Sequence, residues 1–97
     1  MTLLKRDYPI CHELKTWPEH FEAIWNRVKT AEIRKNDRDF KVGDILELKE
    51  WNPVTKKYTG NVIIVRISHM LRSEDGDFGL KEGYVMLSFF YKTDKVF

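Results

Sequence analysis

The sequence predicts a mainly β protein with one principal α-helix, arranged as a small barrel or sandwich. About five short apolar stretches are separated by turn signals, and one stripe of apolar residues at helical spacing lies near the start of the chain. A chain of 97 residues has the length of a single domain. We therefore expect a single domain over residues 1–97, with its core at about residues 10–91 and frayed ends.

The first two elements are a strand over residues 10–15 and the helix that follows it. Thr16 stands three residues before Glu19, which is capping-box spacing, and Pro18 fits a first helical turn. Apolar residues then recur at helical spacing and predict one buried stripe, made of Phe21, Ile24, Trp25 and Val28. We expect the helix to end at Lys29 after about three turns and to plug one end of a barrel.

A second strand is predicted at residues 30–35, because polar and apolar side chains alternate there. Ala31 and Ile33 point to one face, and Thr30, Glu32 and Arg34 point to the other. The alternation is the pattern of a strand with one buried face.

Turn signals separate three later strands. They are predicted at residues 45–51, 62–67 and 84–91. The middle one of the three is almost entirely β-branched, which is typical of a central strand covered on both faces. An exposed last strand would allow a homodimer by strand pairing.

Composition and charge exclude several classes of protein. The net charge of +2 is weak, so the charge of the whole chain does not indicate a nucleic-acid binder. Cys11 is the only cysteine, which excludes a disulfide framework and a cysteine-rich zinc site. No apolar run approaches the ~20 residues of a membrane-spanning helix. We expect a cytoplasmic protein with no metal, no cofactor and no contact with a membrane.

The positive charge that exists is concentrated after the helix. Residues 27–41 hold six basic and three acidic residues, a local net charge of +3 that exceeds that of the whole chain. Glu32 can accept a hydrogen bond from an exocyclic amino group, and Arg34 can fork onto a phosphate or a base edge. This pattern predicts a site for a nucleobase or nucleotide. Alternating Glu and Arg on a strand are also typical of a cross-strand ion pair worth roughly 0.2–1 kcal/mol.

Four segments, taken together, resemble the ASCH superfamily of PUA-like β-barrels, and more narrowly a small bacterial and phage branch that is catalogued as a domain of unknown function. The segments are His12-Glu13-Leu14-Lys15 with Trp17-Pro18, Lys29-Thr30-x-Glu32-x-Arg34-Lys35-Asn36-Asp37-Arg38, Phe40-x-Val42-Gly43-Asp44 and Gly83-Tyr84-Val85. The resemblance covers residues 11–90 approximately and departs at Arg27, where a glycine is frequent. It implies a barrel of five to six strands, with the helix between the first and second strands and a cleft beside that helix for RNA or a nucleotide.

On this reading, each residue of the cleft has an expected role. Lys29 and Arg34 would contact a phosphate or a base oxygen, and Glu32 a base amino or imino group. Lys15 would add a second cation and Trp17 a stacking face, although Trp17 fits equally well as a hydrophobic staple at the helix start. The remaining candidate ligand-binding residues are Thr30, Asn36, Asp37 and Arg38.

The resemblance also extends to compact ASCH amidohydrolases that act on acylated cytidines. Lys29 corresponds to a lysine of those enzymes, but Glu32 stands where they carry a threonine nucleophile. Without a positioned nucleophile and base, covalent catalysis lacks its parts. Lys29 with Glu32 could still act as an acid–base pair on a bound water. We expect a binding protein, with the amidohydrolase as the alternative.

Overall fold

The computed structural model describes residues 8–91 and confirms a mainly β fold with one helix. The elements are β1 (Cys11–Thr16), α1 (Pro18–Trp25), β2 (Ala31–Lys35), β3 (Ile45–Asn52), β4 (Lys57–Arg72), a short 3-10 helix (Ser73–Asp75) and β5 (Tyr84–Tyr91). The expected frayed ends, residues 1–7 and 92–97, lie outside the described residues. Within residues 8–91, no helix is long and apolar enough to cross a membrane.

All five strands belong to one curled sheet, half of a barrel, in the order β1-β3-β4-β5-β2. The sandwich alternative is wrong for the described residues, because a sandwich needs two sheets. β1 runs parallel to β3, and the other neighbours are antiparallel. β5 lies between β4 and β2, so the last described strand is not an edge strand and does not support the expected route to a homodimer.

The long strand β4 explains how the sheet curls. Its 16 residues pair first with β3 and then with β5, and the register shifts between Ile67 and His69. A bulge of this kind bends a strand and increases its twist. As a result, the two edge strands, β1 and β2, approach each other across the open side of the half-barrel.

One face of the sheet is buried and the other is not. The core consists of Leu14, Phe21, Ile24, Phe40, Leu46, Leu48, Ile63, Val65, Ile67, Val85, Leu87, Phe89 and Tyr91. The prediction that residues 62–67 are covered on both faces is wrong. Ile63 and Val65 are buried, whereas Val62 is 38% exposed, because α1 covers only the concave side.

The helix is shorter than its apolar stripe predicts. It ends at Trp25 rather than at Lys29, and Arg27 adopts a left-handed backbone conformation with φ of 60°. That conformation cannot continue a right-handed helix. Phe21 is therefore buried as predicted, whereas Trp25 and Val28 are 58% and 80% exposed.

The predicted capping box at the start of the helix is also wrong. Trp17 occupies the N-cap position and makes no side-chain capping bond. Thr16 is still the last residue of β1, and its side chain points to the buried face, with 2% of its surface exposed.

Candidate functional site

A cleft of about 750 Å³ opens between β1 and β2, beside the start of α1. Seven of the predicted site residues line it: Lys15, Trp17, Lys29, Glu32, Arg34, Asp37 and Arg38. Two do not. The Thr30 carbonyl accepts the Phe89 N–H at 3.0 Å, and the Asn36 side-chain oxygen accepts the Phe40 N–H at 3.2 Å, so both residues hold the backbone around the cleft.

The pairing of β2 with β5 directs the charged side chains into the cleft. Glu32 lies opposite Leu87 and Arg34 opposite Val85, and both partners are buried. Side chains at opposed positions share one face of a sheet. Glu32 and Arg34 therefore project toward the concave side at its edge, as the alternation predicts, while Ile33 is 57% exposed.

Glu32 lies between two cations. Its Oε2 accepts a hydrogen bond from Arg34 Nε, and its Oε1 lies 3.7 Å from Lys29 Nζ. The Glu32 side chain is 12% exposed, against 26% for Lys29 and 24% for Arg34. Lys29 Nζ also donates to His20 Nδ1 at 3.0 Å. Glu32 and Arg34 thus form an ion pair, but within one strand rather than across two strands, and the cluster remains open to the cleft.

Two buried polar atoms of the cleft have no hydrogen-bond partner. They are Glu32 Oε1 and Thr16 Oγ1, and in residues 8–91 no other buried side-chain nitrogen or oxygen is in this state. Both residues line the cleft. Native proteins satisfy nearly all buried polar atoms, so this pair marks a place where a ligand can supply hydrogen bonds.

Two arginines join the edges of the sheet across the cleft. Arg34 Nη2 donates to the Lys15 carbonyl at 2.9 Å, and Arg38 Nη1 donates to the Glu13 carbonyl at 2.7 Å. The free edge of β1 is not paired with a strand. Two of the carbonyl groups of β1 instead accept hydrogen bonds from side chains of β2 and of the loop after it. The half-barrel is held at a fixed width by these contacts.

Comparison with known proteins places the chain in a family. A family described as a domain of unknown function, DUF3850, matches residues 11–89. The chain belongs to the DUF3850 family. All nine predicted site residues lie within the matched segment of this DUF3850 domain.

A phage protein is similar to this DUF3850 chain. It is described as an uncharacterized 12.9 kDa protein in the GpA 3′ region of Escherichia phage P2, and it is 36% identical over 76 residues. The match covers 78% of this chain and 64% of the phage protein. The expected small family of unknown function with phage members is confirmed, and neither description names the ASCH superfamily.

Sequence reasoning missed part of the DUF3850 cleft. His20 lines it from the first turn of α1, three residues after Trp17, and this helical spacing is the signal that could have indicated it. Tyr84 and Met86 reach it from β5, and Phe40 from the loop before β3. Tyr84 and Met86 pair with β2 residues about fifty positions away in the chain, so no local pattern indicated them.

The open edge of β2 also faces the cleft. The Thr30 carbonyl accepts a hydrogen bond from the Phe89 N–H, and the Asn36 N–H donates one to the Gly83 carbonyl, both on the β5 side. Because hydrogen bonding alternates along an antiparallel ladder, the main-chain groups of every second residue between them point the other way. Those residues are Ala31, Ile33 and Lys35, which line the cleft.

Within residues 8–91, no three His, Cys, Asp or Glu side chains are grouped as metal ligands would be.

Proposed function

We propose that this DUF3850 domain binds a nucleotide unit of RNA in the cleft, without catalysing a reaction on it. The observation that carries the proposal is the pair of buried polar atoms without a hydrogen-bond partner, Glu32 Oε1 and Thr16 Oγ1, beside two cations. A base edge offers amino or imino donors next to carbonyl or ring-nitrogen acceptors. Glu32 would accept from such a donor, and the Thr16 hydroxyl would bond an adjacent donor or acceptor.

The charge of the cleft supports an anionic ligand. Five cationic side chains line it against two carboxylates: Lys15, Lys29, Arg34, Lys35 and Arg38 against Glu32 and Asp37. An excess of positive charge in a concave site raises the local concentration of negatively charged ligands. Lys29 and Arg34, which already flank Glu32, would contact a phosphate or a base oxygen.

An exposed aromatic ring at the entrance supports a base rather than an inorganic anion. Trp17 is 51% exposed and lines the cleft. Stacking of a base on such a ring is worth about 1–3 kcal/mol. The resemblance to ASCH proteins adds to this, since their corresponding segment lines a cleft of a PUA-like barrel that is proposed to bind RNA or nucleotides.

Binding is favoured over amidohydrolase activity because the threonine nucleophile expected from the resemblance is missing from its position. Glu32 stands at the position of the expected threonine nucleophile, and Thr30 does not line the cleft. Lys29 Nζ is engaged by His20 and Glu32. Acid–base catalysis by Lys29 and Glu32 on a bound water is the alternative, for which incubation with acetylated cytidine and detection of free cytidine is the assay.

The proposal is tested by titrating the protein with the four nucleoside 5′-monophosphates and with short oligoribonucleotides, using calorimetry. We expect binding by the wild type, and a loss of at least tenfold in affinity for Glu32→Gln, because the amide loses both the charge and one acceptor oxygen. Asp77→Gln, on the exposed loop before β5, is the control and should bind as the wild type does. Equal binding by Glu32→Gln, or no binding by the wild type, would reject the proposal. Turnover of acetylated cytidine that disappears in Lys29→Ala would favour the hydrolase.

A further inference from the structure

A second aromatic and cationic surface lies on the convex side of the sheet, adjoining the cleft. We call it the hairpin platform, and it consists of Lys15, Lys49, Trp51 and Tyr58 at the end of the β3–β4 hairpin. We infer that the hairpin platform binds the next nucleotide of a single-stranded RNA whose first nucleotide occupies the cleft. This inference rests on the proposed function and specifies its ligand as a strand rather than a free nucleotide.

Lys15 connects the two surfaces. It lines the cleft, and its Nζ lies 3.9 Å from the centroid of the Trp51 ring. A cation over an aromatic face is held there by the electron density of the ring. The Lys15 ammonium is thus fixed between the cleft and the hairpin, where the phosphate joining two nucleotides would pass.

The aromatic pair of the platform leaves surface open for stacking. Trp51 and Tyr58 meet edge to face, with centroids 4.9 Å apart and planes at 73°. That contact explains how the hairpin end packs, but Tyr58 remains 52% exposed. Sequence-tolerant proteins for single strands combine such rings with a cationic groove. A second base would stack on Tyr58.

Two carboxylates near the platform have partners, and the charge of a third, Glu47, acts on the neighbouring Lys49. Glu13 pairs with Lys49 at 3.1 Å, and Glu50 Oε1 accepts hydrogen bonds from the side chains of Thr59 and Asn61 at 2.8 and 3.0 Å. By contrast, the other three lysines in or beside the hairpin, Lys15, Lys56 and Lys57, form no ion pair with any residue of the range 8–91. Four lysines against three carboxylates leave the hairpin region with a small net positive charge, which suits a phosphate backbone.

The test is the dependence of affinity on ligand length. Nucleoside 5′-monophosphates and homo-oligoribonucleotides of two to six units, of each base, are titrated into the wild type and into Tyr58→Ala, Tyr58→Phe and Phe78→Ala. Phe78 is an aromatic residue of similar exposure, 56%, that lies away from the hairpin. Circular dichroism on each variant verifies that it is folded.

We expect the wild type to bind oligonucleotides about tenfold or more tightly than monophosphates, as one stacked base would give. Tyr58→Ala should lose this gain and keep its affinity for monophosphates, whereas Tyr58→Phe and Phe78→Ala should behave as the wild type does. A length gain that persists in Tyr58→Ala overturns the inference and leaves the cleft proposal standing. A weaker affinity of Lys29→Met for monophosphates and oligonucleotides alike, together with the expected loss of the length gain in Tyr58→Ala, supports both. Failure of the wild type to bind any of these probes overturns both.

Discussion

The guanidinium of Arg34 donates to the main-chain carbonyl of Lys15 at 2.9 Å and so connects the two edges of the half-barrel. The same guanidinium donates through Nε to Glu32. Arg34 is therefore a structural cross-link as well as a candidate ligand-binding residue. These two contacts fix the orientation of its remaining N–H groups before a ligand arrives, which lowers the entropic cost of binding.

The first prediction concerns the stability of this charged cluster. Arg34→Met should lower the free energy of unfolding by about 1–3 kcal/mol, because it leaves the partly buried Glu32 carboxylate without its strongest partner. Urea denaturation measures the change. Lys57→Met, on an exposed strand position, should change stability by less than about 0.5 kcal/mol.

A double variant separates the ion pair from the cross-link to β1. Glu32→Gln combined with Arg34→Met also removes the carboxylate that has lost its arginine partner, and should recover part of the lost stability. If the effects of the two substitutions on the free energy of unfolding are simply additive, a Glu32 carboxylate without Arg34 is not the source of the destabilisation.

The second prediction is an opposition between stability and binding at Thr16. The Thr16 hydroxyl is buried without a partner, and Val has nearly the same shape and the same preference for strands. Thr16→Val should raise the free energy of unfolding by about 1 kcal/mol, since no polar group is then buried unsatisfied. It should also weaken nucleotide binding. Thermal unfolding and calorimetry test the two effects, and a Val variant that is less stable would show that the hydroxyl is satisfied in the free protein.

The third prediction concerns Asp44, which organises the turn before β3. Its carboxylate is 1% exposed and accepts hydrogen bonds from the N–H groups of Ile10 and Lys41 and from His12 Nε2, at 3.1, 3.1 and 2.8 Å. Asp44→Asn replaces an accepting oxygen with a donor and should cost about 1–3 kcal/mol. Asp77→Asn, on an exposed loop, is the matched control. Equal urea midpoints for the two variants would contradict this assignment.

The fourth prediction concerns the reactivity of Cys11. Burial raises the pKa of its thiol, and the carboxylates of Glu47 and Glu13 raise it further, against a smaller lowering by Lys49. A raised pKa means less thiolate at neutral pH and slower alkylation. The pH midpoint of the reaction with iodoacetamide should therefore lie above that of a free cysteine. Glu47→Gln should shift it down, and an unchanged midpoint in that variant would exclude a role of Glu47.

The fifth prediction concerns the salt dependence of RNA binding. If Lys29 contacts a phosphate, Lys29→Met should lower the affinity and reduce the slope of log affinity against log salt by about 0.7, the value for one contact to a single strand. Lys81→Met, an exposed lysine in the loop before β5, should leave the slope unchanged. A slope that is equal in all three proteins would move the phosphate contact away from Lys29.

Local patterns predicted the strands and the shared face of Glu32 and Arg34, because alternation in a strand depends only on the backbone. They failed where a distant contact or a single backbone angle decides the outcome. The stripe from Phe21 to Val28 predicted a longer helix, yet the left-handed Arg27 ends it early. No spacing indicated that the Arg34 guanidinium reaches the Lys15 carbonyl, since the two residues meet only after the sheet has curled.

The parallel pairing of β1 with β3 has a consequence for folding during translation. Cys11 pairs with Ile45, so β1 leaves the ribosome before β3 and must wait for it before it can dock. At about 5–20 residues per second, that delay lasts on the order of seconds. The side of the cleft that β1 forms is therefore completed late, and a nascent chain cannot bind a ligand before most of its sheet has formed.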